Sequence, residues 1–313
     1  MLRPKDRPLA SALVDALERF SSKRYPLPGI ARPQRRDALL EQIFESLHRI
    51  EYVQRIRERP ISGNRANSSS DLFDPLKAAV LFQIHGDLDE AFWLVFFFVH
   101  FGKNARTGWR LARDVYGALG SSPWNWPRAS RDPHALRDWL ASNQLTLQGR
   151  DGVERHFGNH RKYQSLDAGT PTGTGAAFET YIDWVGPTHS HQTRVRNALE
   201  ETEGDPRRAF DWLYQSMDSV SSFGRTARFD YLTMVGKLGL AQIEPGSTYM
   251  QGATGPVSGA RLLFGDNQKE LTRPELDSRL IELGRAAGLG MQVLEDSLCN
   301  WQKSPDRFKP FRG

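Results

Sequence analysis

A single cysteine, Cys299, stands in 313 residues. One thiol excludes a disulfide framework, a Cys-ligated zinc finger and an iron–sulfur cluster. Long hydrophobic runs are missing as well. The longest, Ala91–Val99, continues only through His100 and Phe101, which is too short for a bilayer span and predicts a buried helix. No apolar core follows the charged stretch Met1–Pro8, so no secretory leader is expected. Strand-type alternation is almost absent. Neither sign of charge dominates, with 42 Lys+Arg against 37 Asp+Glu. What is present suffices for a sizeable core: 39% of residues are hydrophobic and eight are Trp, which excludes general disorder. The expectation is a soluble, cytoplasmic, mildly basic globular protein with no membrane association.

The distribution of charge says more than its sum. Residues 1–36 hold nine basic side chains against three acidic ones, and the tail from Trp301 holds four against one. With +5 for the whole chain, the middle is acidic. Basic ends suit a polyanion, but on charge alone solvated termini are the commoner reason for such a pattern.

Helical spacing dominates the pattern. Leu40, Ile43, Phe44, Leu47, Ile50 and Val53 form one stripe over Asp37–Arg57. Two helices, Asp74–His85 and Asp87–Phe101, are separated by Gly86, and Thr107–Leu119 follows as a third. Asp132–Ala141 is a short helix. From Gly149 the pattern breaks, with glycines at 152, 158, 169, 173 and 175. Helical signals resume over Asp205–Ser216, Arg225–Leu238, Val257–Leu263, Arg273–Ala287 and Met291–Gln302. The sequence therefore predicts an all-α, two-lobed fold. Its divisions are a basic arm over 1–36, a helical lobe over 37–147, an irregular Gly-rich connection over 148–188 and a second lobe over 189–313.

The stretch Tyr249–Gly265 is the most informative. A glycine-rich turn, Gly252–Gly255, leads through Pro256 into a short apolar helix. Pro fits a first helical turn because its missing N–H has no intrahelical partner there. Such a turn can present backbone N–H groups to a phosphate, while small Ser258, Gly259 and Ala260 allow another backbone to approach. Arg261 adds a charge. The same features suit a tight turn packed on its neighbour. Arg225 and Arg228 share one helix face and could grip phosphates, and so could Arg161 and Lys162 in the Gly-rich connection. His160 and Tyr163 beside them suit an extruded base. A solvated surface explains each of these equally.

Met250, Gln251, Gly252, Ala253, Gly255, Ser258 and Ala260 resemble the hairpin of the helix-hairpin-helix DNA glycosylases, with two one-residue expansions. In that superfamily an apolar-Asp-Thr-His segment follows and its Asp is catalytic. Leu276-Asp277-Ser278-Arg279 lies at a similar offset. Arg279 replaces the His, and no Lys occurs in Pro256–Ala260. The resemblance thus implies a monofunctional enzyme without lyase chemistry, with Asp277 as its carboxylate. Asp277 also follows the capping box Thr272-Arg-Pro-Glu275 and fits a helix-start acid. Asp266, Glu295, Asp296 and Asp230 are the alternative carboxylates.

From about Asp71 onward, FDPLKAA, GDLDEAFWLVFFFVHFGK, GNHRKYQSL, SFGRTARFDYLTMVGKLGL and MQVLEDSLCNWQKSPDRFKPFRG resemble the bacterial alpha-glutamyl/putrescinyl thymine pyrophosphorylase-like family, third clade. The resemblance implies double-stranded DNA with modified bases as partner. It implies either excision of a hypermodified pyrimidine after base flipping, in bacterial anti-phage defence, or remodelling of a thymine-derived base. A catalytically inactive reader of modified DNA is the third reading. No cofactor and no metal are expected. His156 with His160, and His189 with His191, lack the Glu of a zincin, and the single Cys gives no deaminase zinc site. Gly236-Lys237 lacks the upstream glycine of a phosphate-binding loop, and Thr170–Gly175 lacks a strand-then-helix context.

Overall fold

The computed structural model describes residues 3–161, 164–267 and 269–310, and among them the regular structure is helical, with one isolated bridge between Asn104 and Gly108. The helices in chain order are α1 (Arg7–Lys23), α2 (Pro33–Glu58), α3 (Pro75–Ile84), α4 (Leu88–Phe101), α5 (Arg110–Tyr116), α6 (Trp126–Arg131) and α7 (Pro133–Leu145). They continue as α8 (Thr174–Val185), α9 (His191–Glu201), α10 (Pro206–Ser216), α11 (Arg225–Leu238), α12 (Gly255–Phe264), α13 (Arg273–Ala287) and α14 (Met291–Trp301). None of them is long and apolar enough to cross a membrane.

Local chemistry explains many boundaries. Three helices open on Asp-Pro, and each Asp side chain accepts a first-turn N–H: Asp74 from Lys77, Asp132 from Ala135, and Asp205 from Arg207 and Arg208. α13 opens with both halves of its capping box formed between Thr272 and Glu275. α11 and α13 end on Gly239 and Gly288, whose φ of 69° and 64° closes a helix without a Cβ penalty.

The chain divides into two compact units that do not follow the sequential lobes. One contains the described residues up to Tyr52 and those from Pro245 onward; the other is Val53–Glu244. Residues 7–23, assigned to a basic arm by charge, form α1. Leu13, Leu17 and Phe20 are buried in the first unit with Leu40 and Ile43 of α2, Leu263 of α12, Leu276 and Leu280 of α13, and Leu298 and Trp301 of α14. Within the connection over 148–188, a regular helix starts at Thr174. Phe178, Tyr181, Ile182 and Val185 then make α8 an amphipathic helix with a buried face. α9 is a further helix in a stretch where the sequence pattern predicts none.

The second unit is organised around α4. A helix apolar on every side must be surrounded. Trp93, Phe96, Phe97 and Phe101 are fully buried, against Phe178 and Tyr181 of α8 and the loop residue Phe223. The acids in the first turn of α4 are both engaged. Asp89 accepts both the backbone N–H and the Nδ1–H of His191, at 2.7 and 2.8 Å. His191 Nε2 lies 2.8 Å from the Tyr181 hydroxyl, which in turn lies 2.7 Å from that of Tyr231. With Nδ1 donating to Asp89, Nε2 accepts from Tyr181 and the imidazole is neutral, as its burial favours.

Glu90 is the most strongly perturbed acid of this core. Burial raises its pKa to about 7, against the pull of the Tyr116 hydroxyl and the Trp126 amide, which both donate to it at 2.6 Å. A raised pKa means the fold favours the protonated acid. That contribution is complete below the unfolded value near 4.5 and is lost as pH rises to about 7. Urea unfolding of the wild type and Glu90→Gln should therefore show the wild type losing roughly 3 kcal/mol relative to the variant between these two pH values. Parallel pH profiles would contradict the assignment.

Candidate functional site

The loop ahead of α12 is shaped by two side chains of α13. Tyr249 adopts a left-handed φ of 49°, costly for a residue with a Cβ. This conformation turns the N–H groups of its neighbours to one side, as in a backbone nest. That nest is filled by Asp277: Oδ1 accepts the Thr248 N–H at 3.0 Å and the Thr248 hydroxyl, and Oδ2 accepts the Met250 N–H at 2.9 Å. One turn earlier on the same helix face, Arg273 Nη1 donates to the carbonyls of Met250 and Ala253, both at 2.9 Å. The acid takes the donors of the turn and the arginine takes its acceptors. Gly252 completes the turn at a φ of 76°.

Beyond the turn, α12 lies against α14 on glycine. A Cβ on Gly259 would stand 2.3 Å from the Leu298 carbonyl oxygen, and one on Gly255 would stand 2.7 Å from Cys299 Sγ. These glycines serve close helix packing, the bland alternative read from the sequence. Gly252, Thr254 and Ser258 remain exposed, the Ser258 hydroxyl donating back to the Thr254 carbonyl. Thr254 makes no side-chain cap bond, so the first N–H groups of α12 lack that partner.

The other candidates are placed as follows. In the first unit, Arg261 is ion-paired with Asp266 and donates to the Leu271 carbonyl at 2.9 Å, while Asp266 also accepts the amides of Glu270 and Leu271. Both charges hold the turn after α12. Asp296 pairs with Arg49 and accepts from Asn300, and Glu295 is half-buried on α14. In the second unit, Arg161 is 7% exposed, with Nε on the Val99 carbonyl at 2.8 Å and Nη2 on Asp230 at 2.7 Å. Its guanidinium therefore joins the end of α4 to α11, with Asp230 as its counter-ion. Arg228 pairs with Asp218 at 2.9 Å and stacks 4.7 Å over the Tyr214 ring, with 13% of its side chain exposed. Arg225 stacks 5.2 Å over Phe229. His160 is exposed, and Lys162 and Tyr163 lie outside the described residues. Among the described residues, no three His, Cys, Asp or Glu side chains gather to hold a metal ion.

The sequence profile of the alpha-glutamyl/putrescinyl thymine pyrophosphorylases, clade 3, matches residues 34–313. The chain belongs to this family. No curated protein and no solved structure matches it. The family is linked to thymine hypermodification, which places the chain among pyrophosphorylase-like enzymes. The match includes the whole hairpin, both clamp residues and α14, and it begins after α1.

Arg273 is the site residue that motif reading passes over. Its signal is nevertheless present: Arg273 and Asp277 stand four apart on one helix, hence on one face. Replacing Asp277 with Asn keeps one acceptor oxygen and turns an amide NH2 toward the backbone donor that the other carboxylate oxygen accepts. The expected loss is about 1–3 kcal/mol in urea unfolding. Arg273→Met should cost a similar amount, and the double variant less than the sum, because both hold one turn. Additive losses would show that the two side chains act on separate structures.

Proposed function

We propose that this clade 3 chain acts on a thymine-derived base in DNA by substitution at the base's exocyclic carbon, leaving the glycosidic bond intact. In that reaction an amine nitrogen bonds to the methylene carbon as its C–O bond to pyrophosphate breaks. Pyrophosphate departs with the electron pair, and the amine loses a proton. The family description supports this reading, since it names glutamyl and putrescinyl thymines together with a pyrophosphorylase. The start of α12, where Thr254 provides no cap bond and Gly252 is exposed, is chemically suited to an anionic leaving group. Reaching the carbon inside a duplex requires extrusion of the nucleotide.

One observation carries the choice of substitution over excision. Excision by hydrolysis needs a carboxylate aimed at the developing positive charge on the sugar. Asp277, the acid the glycosylase resemblance assigns to that task, already accepts three hydrogen bonds from Thr248 and Met250. A carboxylate offers about four acceptor positions, so most of its capacity is engaged within the fold. The order of hairpin and acid along the chain favours excision of a hypermodified pyrimidine as the second reading.

Duplexes carrying 5-pyrophosphoryloxymethyluracil, incubated with putrescine or glutamate, separate the two. Mass spectrometry of the nucleosides should show an amine-substituted nucleoside and an equal amount of released pyrophosphate, with no abasic sites. Free base and abasic sites formed without any amine would establish excision instead.

A further inference from the structure

Several of the arginines expected to grip DNA are spent inside the fold, so a phosphate-binding surface has to be sought among exposed cations without partners. The end of α1 supplies one. Leu13, Leu17 and Phe20 seat this helix in the core of its unit, where it packs on α13. One flank of this buried stripe carries Arg19 and Lys23, and Arg24 follows directly. All three are exposed, and none of their side chains has a hydrogen bond, ion pair or ring contact with a described residue. The nearby acids are otherwise disposed: Glu18 pairs with Arg36, Glu282 accepts the Tyr25 hydroxyl, and Asp15, one turn before Arg19, forms no ion pair with it.

Next to Arg24, Tyr25 packs under Arg279 of α13, whose guanidinium lies 4.5 Å above the Tyr25 ring and 5.6 Å from that of Phe264. Stacking fixes the plane of this guanidinium, and it has no salt bridge with a described residue. Cations in a last helical turn do suit the macrodipole. Against that, Arg19 and Lys23 are like charges four apart on one face, an arrangement that disfavours the helix and that a bound anion relieves.

We propose that Arg19, Lys23 and Arg24, with Arg279 beside them, bind the phosphate backbone of duplex DNA. The proposal rests on the reading that DNA is the substrate, and it assigns backbone binding to an element that lies outside the family-matched residues 34–313. The partner is read through charge alone, so the surface should not distinguish one sequence or modification from another.

The test is fluorescence anisotropy with a plain, unmodified duplex between about 50 and about 200 mM salt. R19A/K23A/R24A should weaken binding and lower the slope of log affinity against log salt by about 2–3, at ~0.9 per phosphate neutralised. R19K/R24K should keep the slope, because charge is retained. Equal helicity by circular dichroism in the three proteins ties the effect to the surface. An unchanged slope in R19A/K23A/R24A, or a wild type that does not bind the duplex, overturns the proposal. Base conversion that persists together with an unchanged slope removes the surface and keeps the substitution chemistry. Binding that depends on the three cations, with no reaction on any modified base, keeps the surface and removes the chemistry.

Discussion

A sharp turn with a left-handed tyrosine at its centre cannot hold itself, and the placement of the hairpin depends on what does. Asp277 satisfies the donors at Thr248 and Met250, and Arg273 satisfies the carbonyls of Met250 and Ala253. Opposite charges one turn apart on α13 thus meet the two polarities of one backbone segment. Each charge is met by polar partners in a half-buried place, where an unpaired group would be costly. From that turn, α12 departs at an angle that lets Gly255 and Gly259 meet α14. Capping box, clamp and glycine contact together fix the first-turn amides of α12 in one direction.

The same economy recurs in the second unit. Arg161 and Asp230, 69 positions apart, and Asp89 and His191, 102 apart, each bind elements together, and Arg228 with Asp218 ties α11 to the turn before it. Such residue types in such company invite a functional reading, because catalytic and phosphate-binding sites use the same groups. Burial and partners decide between the two. A guanidinium 7% exposed and bonded at both ends serves the fold. Arg19, Lys23 and Arg24, exposed and without a salt bridge to a described residue, carry no such bond between elements.

How much of this was legible in the sequence differs by element. α4 announces itself as an unbroken apolar run with an Asp before it and a Gly after it. α11 and α13 lie where their stripes and glycine stops place them. The capping box at Thr272 and the close approach of small residues in α12 were readable from spacing. α1 was obscured because its charges outweigh the stripe of Leu13, Leu17 and Phe20, and α8 because glycines crowd its approach. The site was less legible than the fold. Asp277 is singled out by the sequence as a catalytic candidate, and its backbone partners, 27 and 29 positions away, are ones no side-chain pattern reports. Arg161 and Asp230 stand 69 positions apart, and only the packing of α11 near α4 brings them into contact.

The central claim is that the Asp277 carboxylate is held by the hairpin backbone and thereby sets its shape. Amide hydrogen exchange resolved to Thr248 and Met250 tests this most directly. In the wild type both amides should be protected, and in Asp277→Ala both should exchange faster by tenfold or more, about 1.4 kcal/mol, while amides in the middle of α14 stay protected. Unchanged protection at Thr248 and Met250 in the variant would contradict the account and return Asp277 to the role of a free carboxylate.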